Sequence, residues 1–341
     1  MTGEYFGLLI LAIVLIPQIY YRKQIVDYRA INNGVKFFIR DEKVNDNVRE
    51  IYLANTDGHN IFMRISEAKN PKAIVQIVHG MAEHSSNYQH FTDFLVSEGY
   101  TVVSHDHRGH GRSISEKYKN GYMRLYEELI DDTYAVNRFT KYNYPDLDIY
   151  MVGHSMGSMV ARTYLQKHDH TIDKLILSGT VRYNQFVSFA VAIANIVCFY
   201  LGEYKRSELT AFLPGGDGDI SWISYDEDNV IEKQNDPHRV FNFLNRGTAV
   251  IIELNNQMAQ ERKFESKNPD LPILSITGVD DIVTGHDKGL EDTFRRLRNV
   301  GYHDISNIVY DGMKHEVLNE ASNAKVYGDI INFFENHQAP N

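Results

Sequence analysis

Ser155 stands in the pentapeptide Gly153-His154-Ser155-Met156-Gly157, a glycine-flanked serine of the kind that can act as a covalent nucleophile. Its context says more than the pentapeptide. Ile149-Tyr150-Met151-Val152 before it reads as a strand, and Ser158-Met159-Val160-Ala161-Arg162 after it reads as a helix. A serine on such a tight strand-to-helix turn is held in strained backbone geometry with its hydroxyl exposed. The helix N-terminus also brings N–H groups and partial positive charge to the reacting carbon. Side chains in place of Gly153 and Gly157 would clash with the neighbouring strand and helix. At neutral pH the hydroxyl needs a base, and histidine is the usual one. The chain offers fifteen histidines. A carboxylate bonded to the imidazole would fix its tautomer and stabilise the imidazolium formed during attack. The chemistry indicated is acyl transfer through a serine.

The elements that must position these groups follow from the apolar pattern. Glu50–Leu53 and Asn60–Ile65 are strand-like and flank the turn signal Thr56-Asp57-Gly58. Strands are expected at Ala73–Val78, Thr101–Ser104, Asp148–Val152, Lys174–Ser178, Ile273–Thr277 and Ile305–Tyr310. Helices are expected at His90–Glu98, Leu125–Phe139, Met156–Gln166, Lys288–Arg298 and Asn319–Asn336. This alternation implies an α/β fold, a mostly parallel sheet wrapped by helices on both faces, with the hairpin at one edge. The alternation breaks over residues 181–269, a stretch too long for a crossover and too apolar for a disordered loop. It is expected to be an inserted helical cap. Phe186–Leu201 within it is nearly all apolar, suiting a lid that meets lipid better than a second membrane span, which would split the sheet across a bilayer.

A G-x-S-x-G turn in this setting resembles the nucleophile elbow of the α/β-hydrolase fold, in which the acid and then the histidine follow the serine along the chain. His315, one short loop after the last strand, fits as the base, whereas His303 precedes that strand, His337 lies in the tail and His286 comes too early. The acid should follow the strand Ile273–Thr277, where Asp281 is preferred, Asp280 would cap the turn, and Asp287 is a further candidate. The loop His79-Gly80-Met81-Ala82-Glu83-His84 follows the first parallel strand. The backbone N–H groups of Met81 and Met156 are the expected oxyanion donors, with His79, Gly80, Glu83 and His154 expected around the substrate. His79 and His84 are metal-ligand types, but a hydrogen-bonding role in orienting the loop fits better. The cluster His105-Asp106-His107-Arg108-Gly109-His110-Gly111 lacks a remote partner cluster and reads as a tight loop bracing the floor of the site rather than a metal centre. No metal or cofactor is required.

Composition narrows the function classes. Net charge is −10 across 341 residues without a basic stripe, which disfavours nucleic acid as a partner. The lone cysteine, Cys198, permits no intrachain disulfide and no cysteine zinc site. Residues Tyr5–Tyr21 carry no charge, and as a helix they would span roughly 25 Å, slightly short of a hydrocarbon core. Tyr20-Tyr21 followed by Arg22-Lys23 looks like an interfacial belt with a basic anchor, and the chain around Pro17 is a poor signal-peptide cleavage site. The expectation is a membrane anchor over residues 1–23 with the catalytic domain in the cytoplasm, against the alternatives of a helix packed on the domain and of a cytoplasmic protein. Residues 24–48 are expected to form a linker and an edge strand, and 49–180 with 270–338 the hydrolase core.

Several segments together resemble the monoglyceride lipase and lysophospholipase branch of the α/β hydrolases, which also includes serine aminopeptidase-like enzymes. They are His79-Gly80-Met81-Ala82-Glu83-His84-Ser85, Asp106-His107-Arg108-Gly109-His110-Gly111-Arg112-Ser113, the Ser155 pentapeptide, Ser221-Trp222-Ile223-Ser224-Tyr225-Asp226 with Asn235-Asp236-Pro237, and Gly312-Met313-Lys314-His315-Glu316-Val317-Leu318-Asn319-Glu320. The resemblance runs from about Glu50 to Phe334. It implies hydrolysis of acyl esters of glycerol or glycerophospholipid, with the triad on Ser155, Asp281 and His315. Two positions depart from the pattern: Met81 replaces a smaller residue, and Asn87 stands where monoglyceride lipases often carry arginine. A short-chain esterase or thioesterase, an aminopeptidase, and a non-catalytic membrane-tethered binding protein are the alternatives.

Overall fold

A computed structural model describes residues 3–31, 36–207 and 219–336. Helix α1 (Gly3–Ile31) opens the chain, followed by strands β1 (Phe38–Asn45), β2 (Val48–Ala54), β3 (Asn60–Ser66) and β4 (Ala73–Val78). Then come α2 (Gln89–Ser97), β5 (Tyr100–His105), α3 (Tyr126–Asn143), β6 (Ile149–His154), α4 (Met156–His168) and β7 (Lys174–Ser178). Helices α5 (Val187–Leu201), α6 (Glu227–Asn235) and α7 (Asn245–Gln257) separate β7 from β8 (Ile273–Gly278), and α8 (His286–Asn299), β9 (Ile305–Tyr310) and α9 (Ala324–Asn336) complete the chain.

The nine strands form one sheet in the order β1-β2-β3-β5-β4-β6-β7-β8-β9. From β5 to β9 neighbouring strands run parallel, while β1, β2 and β3 join antiparallel at the edge. The inner strands are buried throughout, as parallel strands covered on both faces must be. Successive residues alternate between two cores. Ile74 and Val78 of β4 join Ile149 and Met151 of β6 against α3, α4 and α7. Val75 and Ile77 join Tyr150 and Val152 against α2 and α9. The loops at the carboxyl ends of these strands therefore converge on one edge, where parallel α/β sheets place their sites.

Three expectations shift. Helix α1 runs on to Ile31, past the expected start of a linker at residue 24. Its second half continues as helix because it docks: Pro17, Tyr21 and Tyr28 are buried, the Tyr28 hydroxyl donates to Asp131 of α3 at 2.7 Å, and Arg29 pairs with Glu127 at 2.7 Å. Helix α9 starts at Ala324 rather than Asn319, because Asn319–Asn323 turn so that the Glu320 carboxylate can accept the Lys314 N–H. Lastly, α7, within the stretch expected to be an inserted helical cap, packs into the main core, where Val250, Ile251 and Leu254 join Met159 and Val160 of α4.

Candidate active site

Ser155 caps the N-terminus of α4 with φ 53° and ψ −117°, a backbone conformation strained for any residue with a Cβ. The turn is fixed by the Ser155 N–H donating to Ser178 O at 2.9 Å and by the close approach of α4 to β4. A Cβ on Gly157 would lie 2.0 Å from the Val78 carbonyl oxygen, so only glycine fits there. Ser155 itself is partly exposed while its neighbours His154 and Met156 are buried.

His315 follows β9 by a short loop. Its Nδ1 lies 2.9 Å from Asp281 Oδ2, and both side chains are buried. Asp281 follows β8. Its Oδ2 also accepts the Thr277 hydroxyl at 3.0 Å, and its Oδ1 accepts the Val283 N–H at 2.8 Å. Burial works against a charged Asp281, but His315 and these donors outweigh it and hold the carboxyl below its ordinary pKa. Burial likewise opposes a charged His315, yet the Asp281 carboxylate prevails and raises the imidazole's pKa. Gly179, at φ +55°, is the floor of the ring: a Cβ there would sit 2.7 Å from His315 Cε1. Gly179 adjoins the Ser178 carbonyl that holds Ser155, so the same short segment seats both residues. The outer nitrogen of His315, Nε2, is buried with no hydrogen-bond partner among the described residues. Such an arrangement can take a proton from a hydroxyl and return it to a leaving group.

Asp280 is exposed and accepts the Tyr225 hydroxyl at 2.9 Å, while Asp287 lies exposed in the first turn of α8. His286 and His303 are exposed, and His337 lies outside the described residues. Met81 is partly buried on the loop after β4, and Met156 is the first residue of α4, so their backbones flank the serine turn. Gly80 packs against the turn, where a Cβ would come within 3.1 Å of Ser155 Cβ.

Three residues expected around the substrate are internal braces instead. His79 is fully buried, its Nε2 accepts the His107 N–H at 2.9 Å, and its Nδ1 therefore carries the hydrogen donated to Gly80 O at 2.8 Å. Glu83 is buried and spends both oxygens on protein donors. His154 is buried beside Ser178 Oγ at 3.2 Å. Burial keeps His79 and His154 neutral, with His154 pushed down to about 4.

The histidine-rich loop after β5 holds the floor. Asp106 accepts the N–H groups of Ser85 and Arg112, each at 2.7 Å. Arg108, fully buried, clasps Asp132 of α3 at 2.6 and 2.7 Å, together with Asp57 of the β2–β3 turn. Among the described residues one trio of metal-ligand types comes together, Glu83, His154 and Glu316, with ligand atoms within 4.8 Å of one another. The Lys233 ammonium already lies against both of its carboxylates.

Sequence reasoning missed Trp222, Lys233 and Glu316 as parts of the site. The Trp222 ring covers His315 with centroids 5.0 Å apart. Lys233 lies on α6, whose charged pattern reads as a solvated face, and no spacing rule links it to residues 83 or 316.

A nucleophile turn, a carboxylate–imidazole pair and a doubly wound sheet together define a serine hydrolase of the α/β-hydrolase class. Residues 69–322 match the family described as serine aminopeptidase, S33, and the chain belongs to it. It is 27% identical over 273 residues to a monoacylglycerol lipase of Mycolicibacterium smegmatis, covering 79% of this chain and 90% of that one. To the monoglyceride lipase of Homo sapiens it is 30% identical over 153 residues, covering 43% of this chain and half of that one. A carboxyl esterase from Bacillus coagulans, solved in complex with glycerol, superposes with a TM-score of 0.73 at 26% identity, covering 87% of this chain and 97% of that one.

Proposed function

We propose that the protein hydrolyses a monoacyl lipid ester, a monoacylglycerol or lysophospholipid, through an acyl-enzyme on Ser155. The observation that carries the reading is the buried Asp281–His315 pair beside the strained Ser155 turn. His315 Nε2 removes the Ser155 proton as the hydroxyl attacks the ester carbonyl, and the Met81 and Met156 N–H groups hold the oxyanion. Collapse releases the alcohol, protonated by His315. Water activated by the same nitrogen then frees the fatty acid.

Two features support a lipid substrate. Relatives whose names describe monoacylglycerol or monoglyceride lipases align along much of the core. The molecule also presents an apolar surface made of two helices. The first half of α1 is exposed through Leu8, Leu9, Ile10, Leu11, Ile13, Val14, Leu15 and Ile16. Helix α5 packs beside α1, with Asn195 donating to the Gln18 side chain at 2.9 Å, and exposes Phe189, Tyr200 and Leu201. Among the described residues α1 is the one helix long and apolar enough to cross a membrane. In our reading its first half anchors the enzyme, and the basic residues Arg22, Lys23 and Arg29 keep the catalytic unit on the cytoplasmic side.

The test is hydrolysis of a monoacylglycerol, a lysophospholipid, a short acyl ester and an aminoacyl arylamide by wild type and by Ser155→Ala. Turnover of either monoacyl lipid well above the short ester, lost in the mutant, is expected. Preference for the short ester or the arylamide would move the substrate to the esterase or aminopeptidase alternative.

A further inference from the structure

The loop that supplies Met81 cannot hold its shape unaided. Ala82 sits at φ +65°, a left-handed conformation costly for a residue with a Cβ, and Gly80 and Met81 lie just before it. His107 and Asp106 hold the two ends of this loop from the loop after β5, and the segment after α5 adds further contacts. The Val240 N–H donates to Ala82 O at 3.2 Å. Asp236 receives His84 Nε2 at 2.7 Å and Asn87 Nδ2 at 3.0 Å. The deepest contact is ionic. Lys233 of α6, 4% exposed, puts its ammonium against Glu83 Oε1 and 3.2 Å from Glu316 Oε1.

Both carboxylates lead directly to the reacting groups. The other oxygen of Glu83 accepts the Gly80 N–H at 2.9 Å and the Tyr88 hydroxyl at 2.7 Å, and it packs so closely that a Cβ on Gly80 would meet it at 2.6 Å. Glu83 thus fixes the His79–Gly80 peptide, one residue before the Met81 N–H. Glu316 is the residue after His315. Its other oxygen accepts Asn229 of α6 at 3.1 Å and Asn319 at 3.0 Å, and its N–H donates to Ile223 O at 2.8 Å. Two buried carboxylates this close repel unless a cation lies between them, and the lysine is that cation. Burial opposes its charge, yet Glu316 and Glu83 raise its pKa above the ordinary lysine value.

We propose that Lys233 is a positioning residue that locks the oxyanion loop and the His315 loop into register through Glu83 and Glu316, so that seating α6 and assembling the catalytic geometry are one event. The inference rests on the serine-hydrolase reading of Ser155 and His315. It assigns α6 a part in the chemical step and not only in covering the substrate.

The experiment compares wild type, Ser155→Ala, Lys233→Met, Lys233→Arg and Glu83→Gln on a soluble p-nitrophenyl butyrate substrate, with folding checked by circular dichroism and thermal unfolding. Lys233→Met keeps most of the side-chain volume and removes the charge. It should lower kcat on the order of 100-fold, the scale of losing one oxyanion donor, with KM changed less than about threefold. Lys233→Arg should recover to within about tenfold of wild type, because a cation returns to the site. A folded Lys233→Met enzyme with wild-type kcat, or with a loss confined to KM, overturns the proposal. Should Lys233→Met fail to fold, Glu83→Gln decides. A glutamine has one acceptor oxygen for donors on two sides, so the proposal requires the same fall in kcat, and an unchanged kcat overturns it. Wild type and Ser155→Ala with equal turnover would instead overturn the hydrolase reading itself, an outcome separable from the behaviour of Lys233→Met.

Discussion

Asp281 Oδ2 and His315 Nδ1 face each other at 2.9 Å inside the protein, and Asp281 also accepts the Thr277 hydroxyl on Oδ2 and the Val283 N–H on Oδ1. The carboxylate has no freedom to turn, so it fixes which imidazole nitrogen carries the hydrogen. Asp281→Asn preserves size but offers an amide donor that favours the wrong tautomer. Steady-state kinetics should show kcat reduced roughly 10³- to 10⁴-fold with the fold intact. A loss below about tenfold would mean that another acid orients His315.

The same pair sets the pH dependence. In the proposed mechanism His315 is the base, which requires the neutral imidazole, and Asp281 raises its pKa despite burial. The acidic limb of the kcat/KM profile should therefore lie above the ordinary imidazole value of about 6.5, with activity falling as pH falls through it. Stability takes the opposite sign. A raised histidine pKa contributes stability that is complete below the unfolded value and is lost as pH rises through the folded one. In Asp281→Asn the limb should move to lower pH. A limb that stays in place would contradict the assignment.

Arg108 makes a stability prediction independent of catalysis. It is fully buried, with Asp132 and Asp57 as partners and the Tyr118 hydroxyl at 2.9 Å. Arg108→Met would leave both carboxylates without their cation, costing roughly 3–5 kcal/mol in urea unfolding. Burial pushes the Asp57 pKa up, but Arg108 overrides it and holds the group down at about 2. The contribution of Asp57 is therefore complete above its unfolded value of about 4 and is lost as pH falls towards 2. In the Met variant that acid sensitivity should shrink.

The α/β layering and the Ser155 turn were legible because strand, glycine turn and helix are local in sequence, and the order serine, acid, histidine constrained the rest. His315 and Asp281 were within reach because each follows a strand by a short loop. What stayed hidden was non-local. The Lys233 contacts to residues 83 and 316 join segments far apart along the chain, and a lysine on a short polar helix carries no mark of burial. The same holds for α1. Its uncharged run is plain in the sequence, and Arg22-Lys23 reads as a basic anchor before a linker, but Tyr21 and Tyr28 docking on the domain is a tertiary fact. His79 and Glu83, in the loop after β4, and His154, at the end of β6, border the site yet turn inward, because their polar atoms find protein partners there.

The two halves of α1 should separate experimentally. Removing residues 1–16 deletes exposed apolar surface and should shift the enzyme from co-sedimenting with phospholipid vesicles towards the supernatant, with thermal stability unchanged. Removing residues 1–31 also strips Tyr21 and Tyr28 from their packing and should cost on the order of 3–5 kcal/mol. A shorter variant that still sediments completely would place the membrane contact elsewhere.

The central claim, that Ser155 is the nucleophile, is tested most directly by reaction with a fluorophosphonate followed by intact-mass and peptide mapping. The account predicts one adduct per chain, on the peptide containing Ser155. It should be absent in Ser155→Ala and slowed in Asp281→Asn. An adduct on another residue, or an active enzyme that takes no label at Ser155, would contradict it.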